Sequence, residues 1–267
     1  MVEIMGGREI DHLVLAVREL ETAALTYQRL GFKLTPQAQH PFGTGNRLAQ
    51  LQGNFIEILS VTEPDWVSES GEEKFSFGAY NRNFLARREG ISMVSLQSTD
   101  WLRDRIDFEM AGLSLHAPFA FTRMAVQPDG TEVEMGFDLT FAFDPSTPNV
   151  VFFTCCHRHS LNHFYKVDYQ AHPNGAERIS AVFIESTDVA GTERRLSALG
   201  VNRTLFEIVS GQRDAFTGFA MDVSDLSVTR QILLDSGLDL DNAPDAVTIG
   251  PDSTFGVTVK FREEVGA

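Results

Sequence analysis

The chain has 267 residues, enough for one large domain or two of ordinary size. Its 43% hydrophobic residues predict an ordinary core, while 22 Lys and Arg against 37 Asp and Glu, a net charge of −15, argue against a nucleic-acid partner, which needs clustered cations. No apolar run is long enough for a transmembrane helix, residues 1–10 lack the pattern of a secretory signal, and the adjacent Cys155 and Cys156 cannot frame a disulfide scaffold, so a cytoplasmic protein without a membrane partner is expected.

Residues 10–17 (IDHLVLAV) are apolar and β-branched and predict a strand; residues 19–31 (ELETAALTYQRLG) predict a helix closed by glycine. The unit recurs. Residues 91–97 precede a helix over 100–112, residues 179–185 one over 188–200, and residues 216–223 one over 225–237. In all four, the acid that opens the helix stands twelve positions before the glycine that closes it. The acid complements the positive end of the helix dipole, and glycine accepts the left-handed conformation that ends the helix. Four equal spacings define an internal repeat.

Each helix is followed by β-rich sequence. In the first unit residues 32–34, 47–51 and 55–61 predict three strands, which makes the module β-α-β-β-β. The second has strands at 124–126, 132–143 and 150–156 around turns at 128–130 and 144–148. The third shows one clear strand, 203–209, and the fourth ends in 246–249 and 255–261. The turn-rich segment 171–176 (AHPNGA) divides residues 1–172, with modules one and two, from a shorter pseudo-repeat of modules three and four at 173–267. The fold class is α+β.

Strand alternation places Ile10, His12, Val14 and Ala16 on one face and Leu13, Leu15 and Val17 on the other, which is apolar and suited to lie under the helix. Glu57 is flanked by Phe55, Ile56, Ile58 and Leu59, so a buried carboxylate there needs a metal, a cation or a raised pKa. His157 ends the strand over 150–156 and shares parity with Cys155 and His159. Residues 40–47 (HPFGTGNR) predict a glycine-bearing loop in which His40, Thr44, Asn46 and Arg47 suit a polar substrate. The loop lacks the ending of a phosphate loop. His172 and Asn174 are expected to shape the connection between halves. Phe137, Phe141, Phe143, Phe152 and Phe153 predict a sheet core whose alternate members can line an apolar pocket.

The run IDHLVLAV, a helix ending LGF, then HPFGTGN and NFIEIL, together with VVFFTCCH and AHPNGAERI, resembles the vicinal-oxygen-chelate superfamily and, within it, proteins with a glyoxalase-like domain. That resemblance implies repeated βαβββ modules whose mixed sheets curl into cups with helices on the outer faces. It also implies a divalent metal, Zn, Ni, Mn or Fe, held by residues of the first and fourth strands of each module. His12 and Glu57 then stand at the ligand positions of module one, with His157 as a third ligand and His159 near the substrate. The positions matching His12 in the other modules are Met93, Ala181 and Gly218, which cannot take its place. The implied activity is a metal-dependent lyase or isomerase acting on adjacent oxygens of a small substrate, with Glu57 as catalytic base. A metal-free binding protein of the bleomycin-resistance type and a non-haem iron dioxygenase are the alternatives. Modules pair within a chain or between chains in this superfamily; four modules favour the first, and the homodimer is the other arrangement. Residues 173–267, with no histidine and no match to Glu57 in their last strand, are expected to be a structural half that closes or covers the cup.

Overall fold

The computed structural model describes residues 6–71, 74–127 and 129–263. Residues 1–5 and Pro128 of the expected 128–130 turn lie outside the described residues. Module one consists of β1 (Ile10–Ala16), α1 (Leu20–Arg29), β2 (Ala38–Gln39), β3 (Thr44–Gln50) and β4 (Phe55–Val61). A helix the repeat did not announce, α2 (Phe77–Leu85), leads to module two: β5 (Gly90–Ser98), α3 (Trp101–Met110), β6 (Ser114–Leu115), β7 (Phe119–Val126), β8 (Glu132–Phe143) and β9 (Val151–His157). Two single turns, α4 (Leu161–Phe164) and α5 (Val167–Gln170), precede module three, which is β10 (Ala176–Ser186), α6 (Val189–Ala198) and β11 (Phe206–Ser210). Module four is β12 (Ala215–Val223), α7 (Leu226–Asp235), β13 (Leu240–Asn242), β14 (Ala246–Ile249) and β15 (Thr258–Glu263).

The four repeat helices have the ends that their spacing announced. Asp100, Asp188 and Asp225 each accept hydrogen bonds from backbone N–H groups of the first turn, whereas Glu19 makes no such bond with its side chain. The closing glycines all have positive φ. At Gly31 the requirement is double, because a Cβ there would also lie 2.7 Å from the Asn174 side chain. Residues 32–34, expected as a strand, form irregular chain instead, and the second strand comes later as β2. Among the described residues no helix is long and apolar enough to cross a membrane.

Two mixed sheets result. The first runs β2-β3-β4-β1-β5-β9-β8-β6, with β7 also paired to β8; the second runs β11-β10-β12-β15-β14-β13. In modules one, two and four the fourth strand lies parallel beside the first; in module three β11 takes that place. β1 and β5 join modules one and two antiparallel, as β10 and β12 join three and four. Although they are far apart in sheet order, β2 and β7 lie against each other, so side chains from both ends of the first sheet meet over one face.

The two faces of that sheet bury different cores. Leu13, Leu15, Ile56, Ile58, Val94 and Phe152 pack with α1 and with Ile179, Phe216, Phe219 and Phe261 of the second sheet. The opposite face collects Phe55, Phe77, Met93, Phe137, Phe141, Phe153 and Phe164. The second sheet therefore buttresses the first from behind. Residues 173–267 were expected to close or cover the cup; the apolar core that they share with the first sheet lies on the helix side of β1, β4 and β9. His172 and Asn174 do shape the seam. His172 Nδ1 accepts a 3.0 Å bond from the Lys33 N–H, its Nε2 lies 2.7 Å from the Gln50 carbonyl, and Asn174 donates to the Leu30 carbonyl.

Candidate functional site

On the aromatic face, strand parity gathers the polar groups. β3 sends Asn46, Leu48 and Gln50 to this side, β4 sends Phe55 and Glu57, and β9 sends Phe153 and Cys155. All of these but Gln50 line a cavity of about 40 Å³ together with His12, His40, Phe42, Phe121 and Arg123. One water needs roughly 10–15 Å³ on this measure, so a substrate of more than a few atoms must displace rings at the mouth. Phe42 and Phe121, half-buried with ring centroids 5.0 Å apart, are placed to yield.

Glu57 is buried at the centre of the polar groups. Its Oε1 accepts a 2.5 Å hydrogen bond from Asn46 Nδ2 and lies 3.7 Å from His40 Nε2, while Oε2 lies 3.7 Å from His12 Nε2. His12 is fixed by its other nitrogen, Nδ1 being 2.9 Å from Asp11 Oδ2, and by stacking on Phe55 with centroids 4.4 Å apart. A histidine held through one ring nitrogen by a carboxylate, with the other facing the cavity, has the orienting arrangement typical of a metal-binding histidine. His40 is held through Nδ1 by Thr44 Oγ1 at 2.8 Å. Burial, reinforced by Arg123 and His12, pulls the His40 pKa well below the ordinary histidine value, so this ring is neutral.

Asp11 escaped the sequence reading. Alternation sends it to the apolar face, but β1 carries a bulge between Ile10 and His12, where two steps on β1 oppose one on β5. Ile10 consequently joins the helix-side core, against expectation, and Asp11 turns toward His12 and His157. A lone acid in an otherwise apolar strand was the available signal. Burial alone would raise the Asp11 carboxyl, but the charge of His157 and hydrogen bonds from His12 and His157 outweigh it and hold the group below the usual carboxylate range.

The structure brings His12, His40, Asn46 and Glu57 together with Thr44 behind them. His157 stands apart: its Nε2 is 3.2 Å from Asp11 Oδ1, so it meets His12 through Asp11. Asp11, Cys155 and His157 form a group whose ligand atoms lie within 4.8 Å of one another, although burial pushes the Cys155 thiol up and keeps it protonated. Arg47 is not brought to the cavity. Thr44 to Gln50 are strand rather than loop, so Arg47 has the parity opposite to Asn46 and pairs with Glu21 of α1 at 2.9 Å. His159 lies beyond the end of β9, exposed in the following turn. Arg123, unforeseen because only 124–126 of its strand was anticipated, enters the cavity from β7 in the alternating register of Phe119, Phe121 and Ala125.

Strand register gives the counterparts in module two. His12 pairs with Phe55 and Val14 with Glu57; Met93 pairs with Val151 and Ser95 with Phe153. Thus Met93 and Phe153 stand where module one has His12 and Glu57. A four-ligand metal set shared between the modules does not fit these residues, but the imidazole and carboxylate of module one fit half of it.

Paired βαβββ modules with a polar cluster on the first and fourth strands define the vicinal-oxygen-chelate architecture. The sequence matches the glyoxalase-like domain family over residues 10–200, and the chain belongs to that family. No curated protein matches. The fold is similar to that of a hypothetical protein from Staphylococcus aureus, at 13% identity and a TM-score of 0.70 over 96% of this chain and 99% of that one. It is also similar to the Mn(II)-bound glyoxalase from Novosphingobium aromaticivorans (11% identity, TM-score 0.59, 98% and 83% covered) and to the 2,3-dioxygenase LapB from Pseudomonas sp. KL28 (10%, 0.64, 98% and 93%).

Proposed function

We infer that the chain is a small-molecule enzyme of the glyoxalase-like type, with lyase or isomerase chemistry centred on Glu57. The observation that carries this reading is the pair of facing ligand atoms, Glu57 Oε2 and His12 Nε2, 3.7 Å apart, on side chains each held from behind. A carboxylate and an imidazole so arranged suit a divalent cation such as Mn, Fe, Ni or Zn. His12 and Glu57 would hold it, and when bound it would polarise adjacent oxygens of the substrate as a Lewis acid. Glu57, the carboxylate of the cavity lining, takes a proton from the carbon next to a substrate carbonyl and returns it. Asn46 Nδ2 fixes the carboxylate, while the buried Asn46 Oδ1, unpartnered in the fold, accepts a bond from a substrate hydroxyl. Asp11 keeps His12 in its tautomer, and His157 supports Asp11. The aromatic wall excludes water.

Met93 and Phe153 favour a second reading, a metal-free binding protein for an apolar ligand. Thermal melting in chelator-treated protein with and without Mn(II), Zn(II), Ni(II) or Fe(II) separates the two. The enzyme reading predicts a rise in melting temperature with at least one ion, lost in Glu57→Gln. No rise with any ion, or a rise retained by Glu57→Gln, contradicts the metal site.

A further inference from the structure

Arg123 is a charged group of the cavity that the reading above leaves without work. It is 8% exposed, yet among the described residues no carboxylate lies within 4.0 Å of its guanidinium. The hydrogen bond recorded for it runs from Nη1 to the Met124 carbonyl at 3.4 Å, and its carbon sits 5.8 Å from the centre of the Phe137 ring. A guanidinium has five N–H donors in a planar fork, so most of its capacity is unspent. Burying such a group without partners is costly, and its neighbours of like parity, Phe119, Phe121 and Ala125, show that an apolar side chain suits the position. Packing alone does not explain an arginine here.

The surroundings say what it awaits. A second cavity of about 40 Å³ adjoins the first, and the two share Leu48, Arg123 and Phe164 as a wall. In a chain of net charge −15, that second cavity is lined by Arg123, Lys166 and His163 and by no Asp or Glu. Arg123 therefore faces an acid-free recess on one side and Glu57 on the other. Burial pulls the guanidinium below its ordinary value while Glu57 pulls it up, and an arginine side chain keeps its charge in proteins.

We propose that Arg123 anchors a carboxylate of the substrate, making the substrate class small organic acids whose reacting carbon lies beside Glu57. The planar fork matches a carboxylate through two parallel hydrogen bonds. One buried arginine balances one negative charge, and Glu57 in the same cavity repels a doubly charged phosphate more strongly than a singly charged carboxylate. The anchor sets orientation: with the carboxylate on Arg123, the remainder of the molecule extends between the aromatic wall and the Glu57 carboxylate.

This deepens the enzyme reading by naming its substrate class, but the test needs neither metal nor turnover. Calorimetric titration of chelator-treated protein compares phenylacetate with phenylacetamide, two ligands alike in shape and different in charge. Wild type is expected to bind the acid about tenfold or more tightly than the amide, as a charge-assisted pair requires. Arg123→Gln abolishes that preference, and Arg123→Lys, which keeps the charge without the fork, restores part of it. Near-ultraviolet circular dichroism checks that both variants keep the fold. Equal affinities in wild type, undetectable binding of the acid, or an acid preference that survives in Arg123→Gln overturns the proposal. A failed metal titration with intact acid selectivity would remove the metal and leave this site standing.

Discussion

The strand pairs β1/β4 and β5/β9 have the same parallel register and lie side by side in one sheet, yet one carries His12 and Glu57 and the other Met93 and Phe153. The backbone repeats and the chemistry does not. Module one supplies the imidazoles and the carboxylate that line the cavity, His12, His40 and Glu57; module two supplies aromatic walls and, from β7, an arginine. The second sheet shows a further stage. At the corresponding positions of module four stand Gly218 and Lys260, and in module three Ala181 and an exposed Glu207 that pairs with Arg262 at 3.6 Å. The strand-helix frame recurs in all four modules, while a histidine and a carboxylate at these two positions occur together only in module one.

The largest effects should come from the adjacent rings that separate front from back. Phe152 packs behind the sheet on Phe206 and Phe216, and Phe153 packs in front on Phe141 and His12. Truncating either to alanine should cost about 3–5 kcal/mol in urea unfolding. Only Phe153→Ala should also alter ligand affinity; an equal effect of Phe152→Ala on binding would break the division between faces.

Asp11→Ala removes the acceptor of two buried imidazoles and should cost about 1–3 kcal/mol. Because it frees the tautomer of His12, it should also weaken metal binding by roughly 10–100-fold, which metal titration measures. A loss of stability without loss of metal affinity would reduce Asp11 to a packing role.

A smaller effect is a pH dependence at the seam. Burial, helped by the charge of Lys33 and opposed by the hydrogen bond to the Gln50 carbonyl, lowers the His172 pKa below 6.5. The folded state thus binds fewer protons than the unfolded one. The resulting stability is fully present above the unfolded value, near 6.5, and is lost as pH falls through it toward the folded value. Urea unfolding of His172→Gln between pH 7 and 5 should show a shallower pH slope than wild type, the remainder coming from His40, which burial shifts the same way. An unchanged slope would exclude His172 as its source. Smallest of all, Glu207→Gln should change stability by about 1 kcal/mol or less and leave metal uptake untouched, although Glu207 occupies the register of Glu57.

The frame was legible because its signals are local. An acid at one end of each helix, a glycine twelve residues on and alternation in the strand before it were enough to find four modules. The grouping of His12, Glu57, Asn46 and His40 was suggested by the resemblance, which marks the first and fourth strands, and by the glycine-bearing segment that runs into β3. What the sequence hid was set by other forces. The bulge at Asp11 arises from pairing with β5 and reverses the parity of Ile10. Arg47 was expected at the junction of the loop and a strand over 47–51, but pairing with β4 starts the strand at Thr44 and turns Arg47 toward Glu21. Arg123 was hidden because its strand carries exposed residues at every other position and reads as strand over only its last part. The position of the second sheet behind the first follows from tertiary packing between distant segments.

In the proposed function the chemistry of this chain resides in the His12–Glu57 pair of module one. Metal analysis of protein prepared without chelator, in wild type and in His12→Ala, Glu57→Gln and Met93→Ala, tests it most directly. The account predicts stoichiometric divalent metal in wild type and in Met93→Ala, and its loss in His12→Ala and Glu57→Gln. Metal retained in His12→Ala, or lost in Met93→Ala alone, would contradict it.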